Sequence, residues 1–312
     1  MRVTKIAVFG AFAGALQLGC LCAVVATATG QLPLASSTLP LTAASVASRA
    51  LQVGAGALAL LLALAYVQPR WFMRLVARGT HPSVLWCVST SANVCSLTID
   101  DAPSATTPLL LDVLQQHGVK ATFFVISGHI AGHEDTLARI VREGHTLGNH
   151  LTEDRPSWRD ELHVFERKLQ ECDRAIRHFQ PDVPPAPTSP AAEGEGDGAE
   201  TTRLLEPDKA SAAPLRWLRP ASGWFTSRMR EVVAAHGYRI CLGSVYPHDA
   251  QIRSEVLNSL HLRALTTNGS VIIVHDRAWT VGVLKTALPP LTKKFAFVGL
   301  EELLRHGQAA PL

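Results

Sequence analysis

"VCSLTIDDAPSATTPLLLDVLQQHGVKATFFVIS", Val94–Ser127, is the stretch on which the reading of this chain turns. Its first six residues are β-prone and run into two adjacent acids. "PLLLDVLQQHG" (108–118) then carries apolar residues at helical spacing and stops at a glycine. "KATFFVIS" (120–127) is a second buried strand. The alternation continues with a helix in "EDTLARIVREG" (134–144) and a strand in "HTLGNH" (145–150). Strand, helix, strand, helix, strand specifies an α/β fold built on a parallel sheet or barrel.

Further along, an amphipathic run at 160–179 predicts a long helix, after which the composition breaks. Residues 181–214 are rich in Pro, Ala, Gly, Ser and acids, with almost nothing to bury, and read as a disordered insertion. The fold resumes with "LRWLRP", a helix at 224–237, a strand at 238–245 and the strongly β-prone "SVIIVHD" (270–276). A last helix near 279–289 and a strand at 295–300 close it.

Toward the N-terminus the chain has a different character. No charged residue lies between Lys5 and Arg49, and a second uncharged run extends from Ala50 to Pro69. Residues 6–28 and 50–69 are each long enough to cross ~30 Å of hydrocarbon as a helix. The expected organisation is a membrane-anchoring region at 1–79 and a soluble body, a single domain, at 80–312. For the first run a cleaved signal peptide is the alternative; for the second, a buried helix. Arg70, Arg74 and Arg78 after the second run place both ends of the hairpin in the cytoplasm by the positive-inside tendency. A cleaved or inverted first segment would reverse the side, so the chain is either multi-pass or signal-anchored.

The net charge of +3 is scattered, with no basic stripe interleaved with aromatics, which excludes a nucleic-acid surface. The six cysteines form no CxxC pair and no zinc-finger spacing. Cys20 and Cys22 fall in the first apolar run, and Cys87 and Cys95 could be bridged if a turn joined them.

Ionisable residues gather at the predicted C-terminal ends of the strands: Asp100 and Asp101, His150, Arg219, Asp249 and His275. In parallel α/β architectures that rim is where active sites form. One acid pair after a strand is often only a helix cap, a role Asp101 or Ser104 could fill. Six such groups at successive strand ends point instead to a metal-dependent hydrolase.

These residues resemble the polysaccharide deacetylase family (NodB homology domain, carbohydrate esterase family 4). The family's T-F-D-D-G-P is matched by "TIDDAP" (98–103), and its G-N-H with a second His four residues on by "GNHLTED", with Asp154 in the second position. Its R-x-P-Y-G is matched by "RPASG" (219–223), its Asp before an aromatic by "VYPHDA", and its apolar run ending in His by "VIIVHD". The resemblance spans about residues 94–305 and implies a distorted (β/α) barrel, here preceded by N-terminal transmembrane helices.

It also implies a site. One divalent metal ion would be held by Asp101, His150 and Asp154, with Asp100 as general base and Arg219 keeping it ionised and aimed. His275 would be the general acid, oriented by Asp249, and the backbone N–H near Ser222 would bind the oxyanion. The family uses one Asp and two His. A second carboxylate leans the set from zinc toward manganese, iron or cobalt. Asp154 could equally cap the helix after "RPSW", or pair with Arg155 or Arg159. His129, His133 and His145 fit helix caps or surface positions better.

Ala221, Ser222 and Ala250 replace residues that shape the family's substrate groove, so a wider or less aromatic groove is expected. The function implied is removal of acetyl groups from N-acetylated sugars, with such a carbohydrate and the membrane as partners. Two alternatives stand beside it. One is a catalytically silent member that binds a glycan or a protein; the other is an esterase or amidase on another acetylated substrate. Neither substrate identity nor oligomeric state is legible in the sequence.

Overall fold

The computed structural model describes residues 43–180 and 216–309. The expected helix at 6–28, Cys20 and Cys22, and the expected insertion at 181–214 lie outside the described residues. The chain divides into two compact units, Met1–Met73 and Arg74–Leu312.

In the first unit, α1 (Ala43–Val67) covers most of the second apolar run. Its segment Ala50–Val67 has a mean hydropathy of 2.0 and is not buried, and Leu51, Val53, Leu58, Leu60 and Leu61 are exposed. This is the one helix among the described residues that is long and apolar enough to cross a membrane. A second helix, α2, spans Arg70–Arg78.

The second unit is built on a parallel sheet. Its strands are β2 (Val94–Ala102), β3 (Ala121–Val125), β4 (Thr146–Asn149), β5 (Arg216–Leu218), β6 (Tyr238–Ile240) and β7 (Val271–His275). They lie in the order β6-β5-β4-β3-β2-β7, every pair parallel. The sheet curls: beyond β6 the chain runs alongside β7, where the N–H of Ser244 donates to the Val271 carbonyl and that of Ile273 to the Val245 carbonyl, both at 2.9 Å. The strand expected over 238–245 is therefore regular only to Ile240 and then bends into this closure.

Helices α3 (Thr107–Gln116), α4 (Glu134–Arg142) and α5 (Leu162–Phe179) connect the first strands, as the periodicity predicts. Beyond β5 come α6 (Ser227–Ala235), α7 (Glu255–Leu265), α8 (Ala278–Thr292) and α9 (Leu300–Arg305). Neither α7 nor α9 is anticipated by the sequence reading. The side chain of Ser254 caps α7 by accepting from the N–H of Leu257. The strand expected at 295–300 shrinks to β8 (Ala296–Phe297), because Leu300 already turns inward as the first residue of α9. β1 (Val88–Ser89) pairs antiparallel with β9 (Gln308–Ala309).

Alternation along β3 divides the interior into two layers. Ala121, Phe123 and Val125 pack under the helices with Leu110, Leu111, Leu114 and Leu284. Phe124 points the other way, into the curl of the sheet, where it joins Leu85, Trp217, Cys241 and Val271. This second layer fills the space beneath the strand ends and gives the site a rigid floor. β2 is buried at every residue because it is paired on both sides. Its polar members are satisfied: Ser96 donates to the Val298 carbonyl and Thr98 to the Ile272 carbonyl.

Cys87 and Cys95 are buried thiols not joined by a disulfide, so the possible bridge between them is not formed. Cys95 lies inside the core of β2, and burial pushes its thiol up to about 12, which makes it unreactive.

The tightest backbone approach lies before β7. Gly269 has φ +76°, and a Cβ there would stand 1.9 Å from the carbonyl oxygen of Val88. Its N–H and carbonyl are already committed to Val94 and Val88. Gly269→Ala is expected to destabilise the protein by about 3 kcal/mol, combining left-handed strain with a backbone clash. A shift of less than about 0.5 kcal/mol in the urea unfolding free energy would show that the 267–270 turn yields instead.

Candidate active site

Adjacent residues of a regular strand face opposite sides of the sheet, which would send Asp100 and Asp101 apart. Here the pairing of β2 with β3 slips between Ile99 and Ala102, and Asp101 adopts φ +67°. That left-handed conformation costs a non-glycine residue on the order of 1 kcal/mol or more and is found where a site needs it. It lets both carboxylates serve one site.

Asp100 lies in register with His275 at the end of β7 and is only 4% exposed. Arg219, one residue past β5, reaches it: Nη1 donates to Asp100 Oδ1 at 2.5 Å and to Thr98 Oγ1 at 2.8 Å. Nε and Nη2 are held by the carbonyls of Cys241 and Leu242, each at 3.0 Å. The guanidinium stacks 4.2 Å from the ring centre of Phe124. A buried cation with its donors distributed in this way can point in one direction only.

His150 follows β4. Its Nδ1 lies 2.6 Å from the Arg219 carbonyl, so Nδ1 carries the proton and donates it there. Nε2 then faces Asp101 Oδ1 at 3.4 Å. The other oxygen of Asp101, Oδ2, accepts from Arg277 Nη2 at 2.6 Å, and the backbone carbonyl of Asp101 faces His129 Nδ1 at 3.2 Å. Burial alone would raise the Asp101 pKa. His150, followed by His275 and Arg277, outweighs it and holds the carboxyl well below the usual range.

His275 is fixed at two points by one residue, which Thr280 in turn holds. Asp249 Oδ1 lies 2.9 Å from His275 Nδ1, its Oδ2 accepts the His275 backbone N–H at 2.8 Å, and the same Oδ2 accepts from Thr280 at 2.9 Å. Trp279 Nε1 donates to the Asp249 carbonyl at 2.7 Å. Burial would lower the His275 pKa, but Asp249, with Asp100 and Asp101 behind it, raises it to about 9. The imidazole is thus held as a cation at neutral pH, with Nε2 left to meet a substrate.

Asp100, Asp101, His150, Arg219, Asp249 and His275 are thus brought into one connected site. Ser222 is exposed on the short turn Ala221–Gly223 with φ +65°. Asp154 is not brought in. It is exposed, and among the described residues no three His, Cys, Asp or Glu side chains gather closely enough to hold a metal. The cause is the loop, which is pinned outward by its own charges: Arg155 and Lys168 both pair with Glu153 and Asp160. Asp154 takes no part in that network, nor does it pair with Arg155 or Arg159 or cap the helix after "RPSW", α5, whose N-cap is Glu161.

Asp101 and His150 themselves fit a divalent cation. Bonds of about 2.0–2.2 Å to oxygen and nitrogen separate two tetrahedral ligand atoms by roughly 3.4 Å. A histidine whose Nδ1–H is committed to a carbonyl offers Nε2 to a metal. This donor pair fits; the third position is not supplied by Asp154 where it stands.

Sequence reasoning missed Arg277 and expected a wider or less aromatic groove; His129 is exposed, as expected, although its ring reaches the Asp101 carbonyl. Tyr246 stands 5.6 Å, ring centre to ring centre, from His275, and Trp279 braces Asp249. Two aromatic side chains thus stand at the site, from positions other than 221, 222 and 250. Tyr246 lies within the quoted "VYPHDA", which was the available signal.

Comparison with known proteins finds relatives of this chain. Residues 88–241 match the polysaccharide deacetylase family. The chain belongs to the polysaccharide deacetylase family. A peptidoglycan-N-acetylglucosamine deacetylase of Bacillus cereus is 26% identical over 231 residues, 72% of this chain and 93% of that protein. A chitooligosaccharide deacetylase of Rhizobium leguminosarum bv. trifolii is 39% identical over 88 residues, 28% of this chain and 41% of its relative. Like these polysaccharide deacetylases, the chain falls among hydrolases of carbon–nitrogen bonds other than peptide bonds. Among solved structures, the peptidoglycan deacetylase PdaC of Bacillus subtilis shares the fold at TM-score 0.55 and 21% identity, covering 70% of this chain and 93% of that one. So does a CE4-family pseudoenzyme of Bacillus anthracis, at TM-score 0.57 and 18% identity, covering 73% and 70%.

Proposed function

We propose that this polysaccharide deacetylase removes acetyl groups from N-acetylglucosamine-type sugars at a membrane surface. The observation that carries the reading is the pairing of an arginine-clamped carboxylate, Asp100, with a carboxylate-supported imidazole, His275, at adjacent strand ends.

Amide hydrolysis needs a base for the attacking water, a place for the oxyanion and an acid for the departing amine. Arg219 occupies Asp100 Oδ1 and fixes the direction of the carboxylate, leaving Oδ2 to take a proton from water as its oxygen adds to the acetyl carbon. The backbone N–H at Ser222 is the proposed oxyanion donor. As the carbon–nitrogen bond breaks, His275 Nε2 gives its proton to the amine, and acetate leaves. Asp101 and His150 are the proposed holders of a divalent ion, with Asp154 or water completing its surroundings. Such an ion would supply Lewis acidity and acidify a bound water. Tyr246 is the proposed wall for the sugar ring.

Helix α1 is the proposed anchor: its exposed leucines and valines have no use in water, and its apolar segment of about 27 Å approaches the thickness of a bilayer core. With the run at 6–28 it would complete an anchoring region ahead of the catalytic domain at 80–312.

The full-length chain in detergent, supplied in turn with zinc, manganese, iron and cobalt, is expected to release acetate from N-acetylglucosamine oligomers. Asp100→Asn should lower the rate by at least ~100-fold. A second reading has its own support, because Asp154 is turned out and Arg277 occupies Asp101: a silent family member that binds glycans. Oligomer binding with no acetate released under any metal would select it. Release from O-acetyl esters but not from N-acetyl sugars would select an esterase.

A further inference from the structure

We propose that Arg277 is a resident counter-cation of Asp101 that weakens the site's hold on a divalent metal. This rests on the reading of Asp101 and His150 as metal donors.

Arg277 lies outside the five motif segments, two residues past His275. Its place is nevertheless tightly determined. The N–H of Asp276 donates to the Asp100 carbonyl at 2.9 Å, and the Asp276 carboxylate accepts from Ser104 at 2.9 Å and from Thr107. Those bonds tie the segment after β7 to the segment after β2. From that base Arg277 Nη1 donates to the Asp276 carbonyl at 3.0 Å, and Nη2 reaches Asp101 Oδ2 at 2.6 Å. The Asp101 side chain is only 4% exposed, while that of Arg277 is 30% exposed. The carboxylate is therefore nearly out of water and dressed by a protein cation.

The two oxygens of Asp101 are divided between two neighbours. Oδ1 faces His150 Nε2, the donor pair for a metal, and Oδ2 faces Arg277. A divalent ion between Oδ1 and Nε2 would stand across a single carboxylate from a full positive charge. Repulsion between like charges a few ångströms apart is substantial even at an effective dielectric near 20. Arg277 also draws negative charge away from the ligating oxygen. Both effects reduce affinity, whether the guanidinium stays or swings into solvent when metal enters.

The test is calorimetric titration of the chelator-stripped, full-length protein with Zn²⁺ and Mn²⁺, without substrate. Arg277→Gln is expected to bind at least roughly tenfold more tightly than wild type, and Arg277→Lys, which keeps the charge, to bind as wild type does. His150→Gln should abolish the tight site in every background, which identifies the site being read. Unchanged or weaker binding by Arg277→Gln, with His150→Gln still abolishing it, overturns the proposal alone: Arg277 would then orient Asp101. No metal bound by wild type or any variant, or binding indifferent to His150→Gln, removes the metal reading of Asp101 and His150 and the proposal with it. Unfolding midpoints of the variants, expected within a few degrees of wild type because Arg277 is part-exposed, exclude a folding defect as the cause.

Discussion

Arg219→Met is expected to destabilise the protein by about 3–5 kcal/mol, a large share of the about 5–15 kcal/mol that holds a typical domain together. The size follows from what is left behind. Asp100 would remain 4% exposed without its hydrogen-bonded guanidinium, and the carbonyls of Cys241 and Leu242 would lose the Arg219 donors at the point where the sheet curls onto β7. The Phe124 ring would also lose the guanidinium plane it stacks on. Much of the loss is the cost of a stranded carboxylate rather than the worth of the bond itself. It should therefore be partly recovered in Arg219→Met with Asp100→Asn, although both residues are then altered. Urea unfolding of wild type, the two single variants and the double variant measures it. A coupling of roughly 1–3 kcal/mol is expected between contacting groups. If the two losses simply add, within about 0.5 kcal/mol, then Arg219 stabilises through its carbonyl contacts and not through Asp100.

How much of this site was legible in the sequence depends on what fixes each residue's direction. His150, Arg219 and His275 sit at or one residue past the end of a parallel strand, Asp100 is the last residue of β2 paired with β7, and a parallel sheet aligns those positions by construction. Periodicity finds the strands, so it finds the residues. Asp101 faces the site only because of the slip in β2 and its positive φ, which no pattern of apolar residues encodes; the family motif carried it. Asp154 was carried over by spacing from His150 through a loop, and there the loop's own ion pairs decide the outcome. Arg277 is the converse. Its direction is set by Asp276, Ser104 and Thr107, contacts between segments about 170 residues apart. The helix α7 was missed because its exposed Val256, Leu257 and Leu260 blur the amphipathic pattern.

The second large effect concerns His275 and is a matter of pH. With its pKa raised to about 9, the imidazole is protonated through the neutral range, and the falling limb of the pH–rate profile is expected near pH 9. Asp249→Asn removes the carboxylate that does most to offset burial. The limb should then fall toward the ordinary histidine value of about 6.5 or below. At pH 6 the protonated fraction would change little; at pH 8 it would fall roughly thirtyfold, from nearly all to a few per cent. The variant should thus be close to wild type at low pH and crippled at high pH. His275→Gln should lose about 10²–10⁴-fold at every pH. Stability gives an independent check with a fixed sign. Because the folded pKa is raised, the contribution of the imidazolium–carboxylate pair is fully present below about pH 6.5 and is lost as pH rises through about 9. The stability gap between wild type and Asp249→Asn should therefore be widest at acid pH and close with base. A rate loss for Asp249→Asn that is uniform from pH 6 to pH 9 would mean that Asp249 only braces the backbone of β7 through His275 N–H and Thr280, and that His275 does not act as the acid.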